Sequence, residues 1–159
     1  MASQVLVIHE RIGNWARQLR PRLSERPVRV IETRSPADLD VAVRGGCLVY
    51  PVVLLDLARQ VHRGLDDLQR VIAAAPDALV LVLDPLAHAG VALLAREAGA
   101  AHVIAGPVTP PAVERLLSRW LLLAQRRQDL DGWTRQASSE PEPEPWNWIT
   151  PLLSLKQTR

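Results

Sequence analysis

The sequence contains little cysteine, and its positive charges barely outnumber its negative ones. Among its 159 residues there is one cysteine, Cys47, which excludes an internal disulfide framework and a Cys-rich zinc site. Nineteen Lys and Arg residues against seventeen Asp and Glu residues leave a formal charge of only +2. So small an excess provides no phosphate-binding face, and we therefore expect no nucleic-acid partner.

Long hydrophobic runs are also missing. The longest ones, such as Ala78–Leu83, are far shorter than the about 20 residues that a membrane-spanning helix needs. Residues 1–8 lack the basic start and the long apolar stretch of a secretory signal. We therefore expect a cytoplasmic protein with no membrane span.

The residues that are present favour one globular domain built from alternating strands and helices. A hydrophobic fraction of 48% and a charged fraction of 23% are sufficient for a sizeable core. Several of the short β-type runs are continuously apolar, which is typical of parallel strands covered by helices on both faces. The predicted strands are Gln4–His9, Val28–Thr33, Val52–Leu57, Ala78–Asp84 and Ala101–Ala105.

Helical patterns fill the intervals between these strands. Ser35 and Pro36 form an N-cap and N1 pair that opens one helix, and Gly99 ends another in the C′ position. Thr109 and Pro110 open the last helix, which we expect to end at Gly132. Five successive strand–helix units predict an α/β fold with a doubly wound five-stranded parallel sheet.

The composition changes abruptly after this domain. Glu alternates with Pro between Glu140 and Pro145, so that neither a helix nor a sheet ladder can form there. The sequence predicts three parts: a domain over residues 1–131, a Pro/Glu-rich linker over 132–145 and a hydrophobic tail over 146–159.

The tail carries large apolar side chains that would be poorly solvated unless something covers them. It either folds back onto its own domain or docks on a protein partner by helix-in-groove packing or strand addition. The last helix is apolar round most of its circumference at Leu121–Leu123, which suggests a homodimer or another partner contact. The predicted partner-binding residues of the tail are Trp146, Trp148, Ile149, Leu152, Leu153 and Leu155.

Acidic side chains stand at the carboxyl ends of three predicted strands. Ligands of open parallel sheets bind outside these strand ends. Glu10, Asp56 and Asp84 would raise one another's pKa if they converged, and together they would favour a weakly held Mg²⁺ as the one possible cofactor. Three separated and solvated acids are the alternative. His9 is a possible metal ligand or proton carrier, although a structural role is the more common one for a strand-end histidine.

Other motifs of site chemistry are weak. His62, His88 and His102 are scattered on predicted loops and helix starts without the spacing of metal ligands. The sequence has no Ser-His-Asp or Cys-His pattern and no Gly-rich phosphate loop, so we expect no enzyme.

Several residues at matching mutual spacing resemble the receiver domain of bacterial two-component response regulators. The run Leu54–Leu57 is similar to the strand that ends in the phosphoacceptor aspartate, which would be Asp56, and Gly64 follows eight residues later. The run Glu97–Ala100 is similar to the segment that enters the fifth strand, and Pro107 matches the proline of the Lys-Pro pair. The resemblance covers about residues 4–126 and implies a flavodoxin-like (βα)5 fold.

Three positions depart from the receiver pattern. Gly106 stands where receivers carry the lysine that contacts the phosphoryl group. Asp84 stands where they carry Thr or Ser, fifteen residues before Gly99, and its charge would repel a phosphoaspartate. The paired acids of the first strand end are reduced to His9-Glu10. These departures predict a pseudo-receiver that no longer switches.

Three functions remain open from the sequence. The preferred one is a non-catalytic signalling adaptor that docks through its tail. The second is a working receiver that a histidine kinase phosphorylates on Asp56. The third is a cargo-type protein whose C-terminal peptide recruits it to a shell or another large assembly, since Leu153–Lys156 faintly resembles encapsulin cargo-loading peptides.

Overall fold

A computed structural model describes residues 4–45, 50–58 and 60–139, with side chains described up to residue 134. Its centre is one parallel sheet with the strand order β2-β1-β3-β4-β5. This is the flavodoxin-like order, in which the chain reverses its direction of winding between β1 and β3. The five strands are β1 Gln4–Glu10, β2 Val28–Thr33, β3 Val52–Asp56, β4 Leu79–Asp84 and β5 His102–Ala105. The predicted fold class is confirmed.

Five helices connect and follow the strands. In the second of them, the Ser35 hydroxyl accepts a hydrogen bond from the Asp38 backbone N–H at 3.1 Å, so the predicted N-cap is present. Gly99 has a φ of +105°, which fits its predicted place after a helix. The helices are α1 Trp15–Leu23, α2 Pro36–Arg44, α3 Val61–Ala74, α4 Val91–Glu97 and α5 Pro110–Ser139.

Two apolar layers cover the two faces of the sheet. Because successive strand residues point to opposite faces, Val53 and Leu55 pack with α2, α3 and α4, whereas Leu54 packs with α1 and α5. This arrangement explains why β3 and β4 are apolar at consecutive positions: both of their faces are buried.

The prediction that Gly132 ends the last helix is wrong. Helix α5 continues through Gly132 to Ser139. A helix interior tolerates glycine at a cost of about 1 kcal/mol relative to alanine, and here the glycine interrupts a run of helix-forming residues without ending it. Among the predicted apolar residues of this helix, Leu121 is buried in the core, while Leu122 and Leu123 are exposed.

The chain divides into two units between Gln128 and Asp129. The first unit contains the sheet. In the second unit the described residues are helical, and the Thr134 hydroxyl donates a hydrogen bond to the Leu130 carbonyl at 3.0 Å. The predicted linker and tail lie outside the described residues, apart from residues 132–139, so the proposed boundaries remain a prediction. No helix in the described part of the chain is long and apolar enough to cross a membrane.

Candidate functional site at the strand ends

Glu10 ends β1 and is fully buried. Its carboxylate accepts hydrogen bonds from the backbone N–H groups of Trp15 at 2.5 Å and Ala16 at 3.1 Å. These are the first N–H groups of α1, which have no partner within the helix. The Asn14 side chain makes no capping bond. Glu10 therefore caps α1, and the helix N-terminus stabilises its charge.

Asp56 ends β3 directly beside Glu10, since the two residues are partners in the register of the parallel strands. One carboxylate oxygen of Asp56 accepts a hydrogen bond from the Ala58 backbone N–H at 3.0 Å. Burial raises the pKa of Asp56 above its usual value, and the Glu10 charge raises it further. The hydrogen bond from Ala58 and the nearby Trp15 side chain oppose these effects on the pKa.

The loop after β1 passes very close to both carboxylates. A Cβ atom added at Gly13 would lie 2.6 Å from Asp56 Oδ2 and 2.7 Å from Glu10 Oε2. The two oxygens are therefore separated by no more than the sum of these distances. Only glycine fits at this position without displacing an acid. The predicted proximity of these two acids is present in the fold.

Asp84 is engaged by its own loop. Its carboxylate accepts a hydrogen bond from the His88 backbone N–H at 2.7 Å, and its other oxygen lies 2.7 Å from His88 Nδ1. Asp56 is the register partner of Leu83, so strand alternation places Asp84 on the opposite face of the sheet from Asp56. Asp84 is thus separated from the other two acids by the sheet itself.

These contacts do not fit a three-carboxylate Mg²⁺ site. Both oxygens of Glu10 and both oxygens of Asp84 already have partners. Within residues 4–45, 50–58 and 60–139, no three His, Cys, Asp or Glu side chains are grouped as metal ligands would be. We therefore derive no chemistry through Mg²⁺ at Glu10, Asp56 and Asp84.

Gly106 follows β5 in a left-handed conformation, with a φ of +96°. Its backbone N–H donates to the Asp84 carbonyl at 2.8 Å, which joins the ends of β5 and β4. Space for a side chain exists, because a Cβ atom at Gly106 would meet nothing within 4 Å. A lysine here would nevertheless strain the backbone, since L residues with a side chain rarely adopt this φ.

The two loops that follow β3 and β4 both hold a strained alanine. Ala58 has a φ of +44° and Ala87 a φ of +52°. Left-handed alanine costs roughly 1–2 kcal/mol and persists only where surrounding contacts impose it. The hydrogen bonds to Asp56 and Asp84 are those contacts, so the strand-end acids determine the shape of both loops.

A buried polar network, which the sequence did not predict, lies on the α2–α3 side of β1. The His9 ring is fully buried, with Nδ1 2.9 Å from the Thr33 hydroxyl and Nε2 3.1 Å from Asp67 Oδ2. The Arg11 guanidinium donates to the same Asp67 oxygen at 2.7 Å. Burial lowers the pKa of His9, although Asp67 acts in the opposite direction. His9 thus has defined structural partners. One signal was available: Asp67 falls on the apolar stripe of α3, beside Leu68 and Val71.

Solved structures share this architecture. A CheY-like response-regulator receiver domain protein from Methanospirillum hungatei is 13% identical, with a TM-score of 0.66 over 79% of this chain and 99% of that one. A response regulator protein from Burkholderia pseudomallei is 21% identical, with a TM-score of 0.60 over 96% of this chain and 85% of that one. That protein was solved with a phosphorylated aspartic acid, a calcium ion and citrate.

The fold is that of a response-regulator receiver domain. The same receiver fold also matches a putative pilus assembly protein (CpaE) from Burkholderia thailandensis, at 20% identity and a TM-score of 0.53 over 75% of this chain and 98% of that one. No protein-family model matches the sequence, and no curated protein matches it. The likeness therefore shows the fold alone, and the chemistry of Asp56 depends on the residues around it.

Proposed function

We propose that this receiver-fold domain is a non-catalytic adaptor, which acts through protein contacts and not through phosphorylation of Asp56. One observation carries the proposal: the two positions that would stabilise a phosphoryl group hold a left-handed glycine, Gly106, and a buried carboxylate, Asp84. Phosphoryl transfer depends on positioning and on charge stabilisation. Here the cation is missing, and the residue in place of the hydroxyl is a carboxylate that lies on the other face of the sheet and is engaged by His88.

The surroundings of Asp56 support the same proposal. The residue is only 8% exposed, and its carboxylate accepts a hydrogen bond from the Ala58 N–H. A phosphodonor would have to displace this contact before in-line attack. The product would also stand next to the Glu10 carboxylate, whose negative charge would repel it.

A working receiver phosphorylated on Asp56 is the competing function. The observation that favours it is the close approach of Glu10 and Asp56 at neighbouring strand ends, which the receiver pattern requires. Recruitment to a shell or large assembly by the C-terminal peptide is the third possibility, and its evidence is in the sequence alone.

The docking element that we propose is the tail over residues 146–159. Two tryptophans and several aliphatic residues follow a Pro/Glu-rich segment, and burying each large apolar side chain on a partner would contribute about 1.5–3 kcal/mol before ordering costs. Affinity capture with the full chain and with a chain shortened after Ser139 tests this proposal. Shortening after Ser139 preserves the whole of α5, which shortening at Gly132 would not.

Partners that bind the full chain should be lost on shortening and also with Leu153→Asp, since a charge would then lie in the apolar contact. Gln157→Asp is the matched control, because it adds the same charge to the same tail without removing an apolar side chain. Identical partners for all four chains would refute docking through the tail.

A homodimer through α5 is a separate proposal. It is supported by the exposure of Leu122 and Leu123, which are 51% and 40% exposed on a helix whose core side is already packed. Sedimentation of the full chain and of a Leu122→Gln, Leu123→Gln variant tests the homodimer. The variant dimer should dissociate at a higher protein concentration than the wild-type dimer. A wild-type chain that is monomeric would exclude the homodimer.

A further inference from the structure

We propose that the cavity between the start of α3 and the loop after β4 binds a divalent transition-metal ion, such as Zn²⁺ or Ni²⁺, through the imidazoles of His62 and His88. The two histidines come from distant parts of the sequence and line one open cavity together with Gln60, Val61 and Arg63. This site is separate from Glu10 and Asp56, and it does not depend on the proposed adaptor function.

Asp84 holds His88 in place. Asp84 Oδ1 lies 2.7 Å from its Nδ1, and Asp84 Oδ2 accepts from its backbone N–H, so the residue is held by two contacts. A carboxylate at Nδ1 favours the tautomer with the proton on that nitrogen, which leaves the Nε2 lone pair available. Asp84 is fully buried, whereas the His88 side chain is 36% exposed. This is the carboxylate–histidine arrangement that raises the basicity of metal-bound imidazoles.

A third group in the cavity is an acceptor in need of a partner. Gln60 Oε1 is buried and has no hydrogen-bond partner among the described residues. A buried carbonyl oxygen without a partner costs about 1–3 kcal/mol, and rotation of the Gln60 side chain toward a bound ion would remove that cost. Arg63 also lines the cavity, but it lines the neighbouring cavity beside Asp66 and Asp67 as well, where its charge has acidic neighbours.

The ligand types select the class of metal. Imidazole nitrogens suit Zn²⁺, Ni²⁺ and Cu²⁺, whereas Mg²⁺ prefers an all-oxygen octahedral site. With two imidazoles, one amide oxygen and water as ligands, the affinity should follow the order Cu²⁺ above Ni²⁺ and Zn²⁺, with Mg²⁺ far weaker. A bound ion would connect the start of α3 to the loop after β4, which holds the left-handed Ala87.

Calorimetric titration of the untagged full chain with Zn²⁺, Ni²⁺ and Mg²⁺ at neutral pH tests the site. We expect saturable binding of one Zn²⁺ or Ni²⁺, an affinity ~10-fold or more lower in His62→Ala and in His88→Ala, and a loss of ~10–100-fold in Asp84→Asn, since it removes the outer carboxylate. His102→Ala is the matched control, because His102 is exposed and lies outside this cavity. It should bind as the wild type does.

A second measurement uses only the wild-type chain and so does not depend on variants that fold. On addition of Zn²⁺, the imidazole ¹⁵N resonances of His62 and His88 should shift together while those of His102 stay in place. Failure of the wild type to bind either metal, equal affinity in a His62→Ala, His88→Ala double variant, or equal shifts at all three exposed histidines would overturn the proposal. Each of these outcomes would leave the proposed adaptor function intact, because that function rests on Gly106, Asp84 and the tail.

Discussion

Replacing Asp56 by Asn should stabilise the receiver-fold domain at neutral pH. The substitution keeps the size of the side chain and removes one of two buried charges that face each other across Gly13. Asn can still accept the hydrogen bond that the Ala58 N–H donates to Asp56. The change therefore isolates the electrostatic cost of a second carboxylate beside Glu10.

The magnitude follows from the geometry. Two unit charges about 5 Å apart in an effective dielectric constant of about 20 repel by roughly 3 kcal/mol. Arg34, 3.8 Å from Glu10 Oε1, offsets part of this repulsion. The variant also loses the charge-assisted part of the bond from Ala58 and the favourable influence of the Trp15 side chain on the charge, about 1 kcal/mol or less for each. The net gain in the free energy of unfolding should be about 1 kcal/mol, or roughly 2–4 °C in Tm.

Urea unfolding of both chains at several pH values measures this gain. Because the folded-state pKa of Asp56 lies above its usual 3.8, the folded wild type takes up a proton before the unfolded chain does. The penalty is thus complete above the folded-state pKa and disappears as the pH falls from that value toward 3.8. The advantage of Asp56→Asn should shrink over the same window. An equal or lower stability of the variant at neutral pH would refute the reasoning.

Glu10→Gln is the matched control, since it removes the other charge of the same pair. The structure predicts a smaller gain than for Asp56→Asn, because Glu10 also caps α1 through the N–H groups of Trp15 and Ala16. Loss of a charged cap costs about 0.5–2 kcal/mol and offsets much of the relief of repulsion. If both variants were stabilised equally, the capping role of Glu10 would be wrong.

Three further predictions concern the network and the strained loops. Asp67→Asn should lower the free energy of unfolding by about 1.5–3 kcal/mol in urea titrations, because the buried acceptor that His9 and Arg11 share loses its charge. If the exposed neighbour Asp66→Asn cost the same, the buried network of His9, Arg11 and Asp67 would be contradicted. Burial lowers the folded-state pKa of His9, so on acidification the histidine is protonated in the unfolded chain first. The free energy of unfolding should therefore fall as the pH drops below about 6.5. A His9→Gln chain should lack this part of the pH dependence. Ala87→Gly should raise the free energy of unfolding by about 1 kcal/mol, because it removes a left-handed alanine. Ala92→Gly within α4 should lower it by a similar amount. A lower free energy of unfolding in both variants would exclude strain at Ala87.

Much of the fold could be predicted because the signals were local. The continuous apolar runs of β3 and β4 reflect burial on both faces, and the Ser35–Pro36 pair and Gly99 mark helix ends through backbone geometry that few other residues provide. The end of α5 was missed for a related reason. Gly132 carries the signal of a stop, but glycine terminates a helix only where the chain turns into a left-handed conformation.

The site was only partly predictable, because side-chain partners depend on strand register and on loops. Parallel register brought Glu10 and Asp56 together, as expected. The sequence could not show that Asp84 lies on the other face of the sheet with His88, or that Glu10 caps α1. It also gave His62 and His88 no ligand spacing, since their shared cavity arises where the start of α3 meets the loop after β4 in the folded chain.

The phosphorylation state of Asp56 under forcing conditions tests the central claim most directly. The full chain would be incubated with Mg²⁺ and a small phosphodonor and its intact mass recorded, alongside Asp56→Asn and a Gly106→Lys, Asp84→Thr double variant. The account predicts no phosphorylated wild-type chain, because no lysine stands at position 106 and no hydroxyl donor stands at position 84. It also predicts little recovery in the double variant, since lysine at a φ of +96° is strained. A mass increase of one phosphoryl group on the wild-type chain, absent in Asp56→Asn, would contradict the account and identify a working receiver.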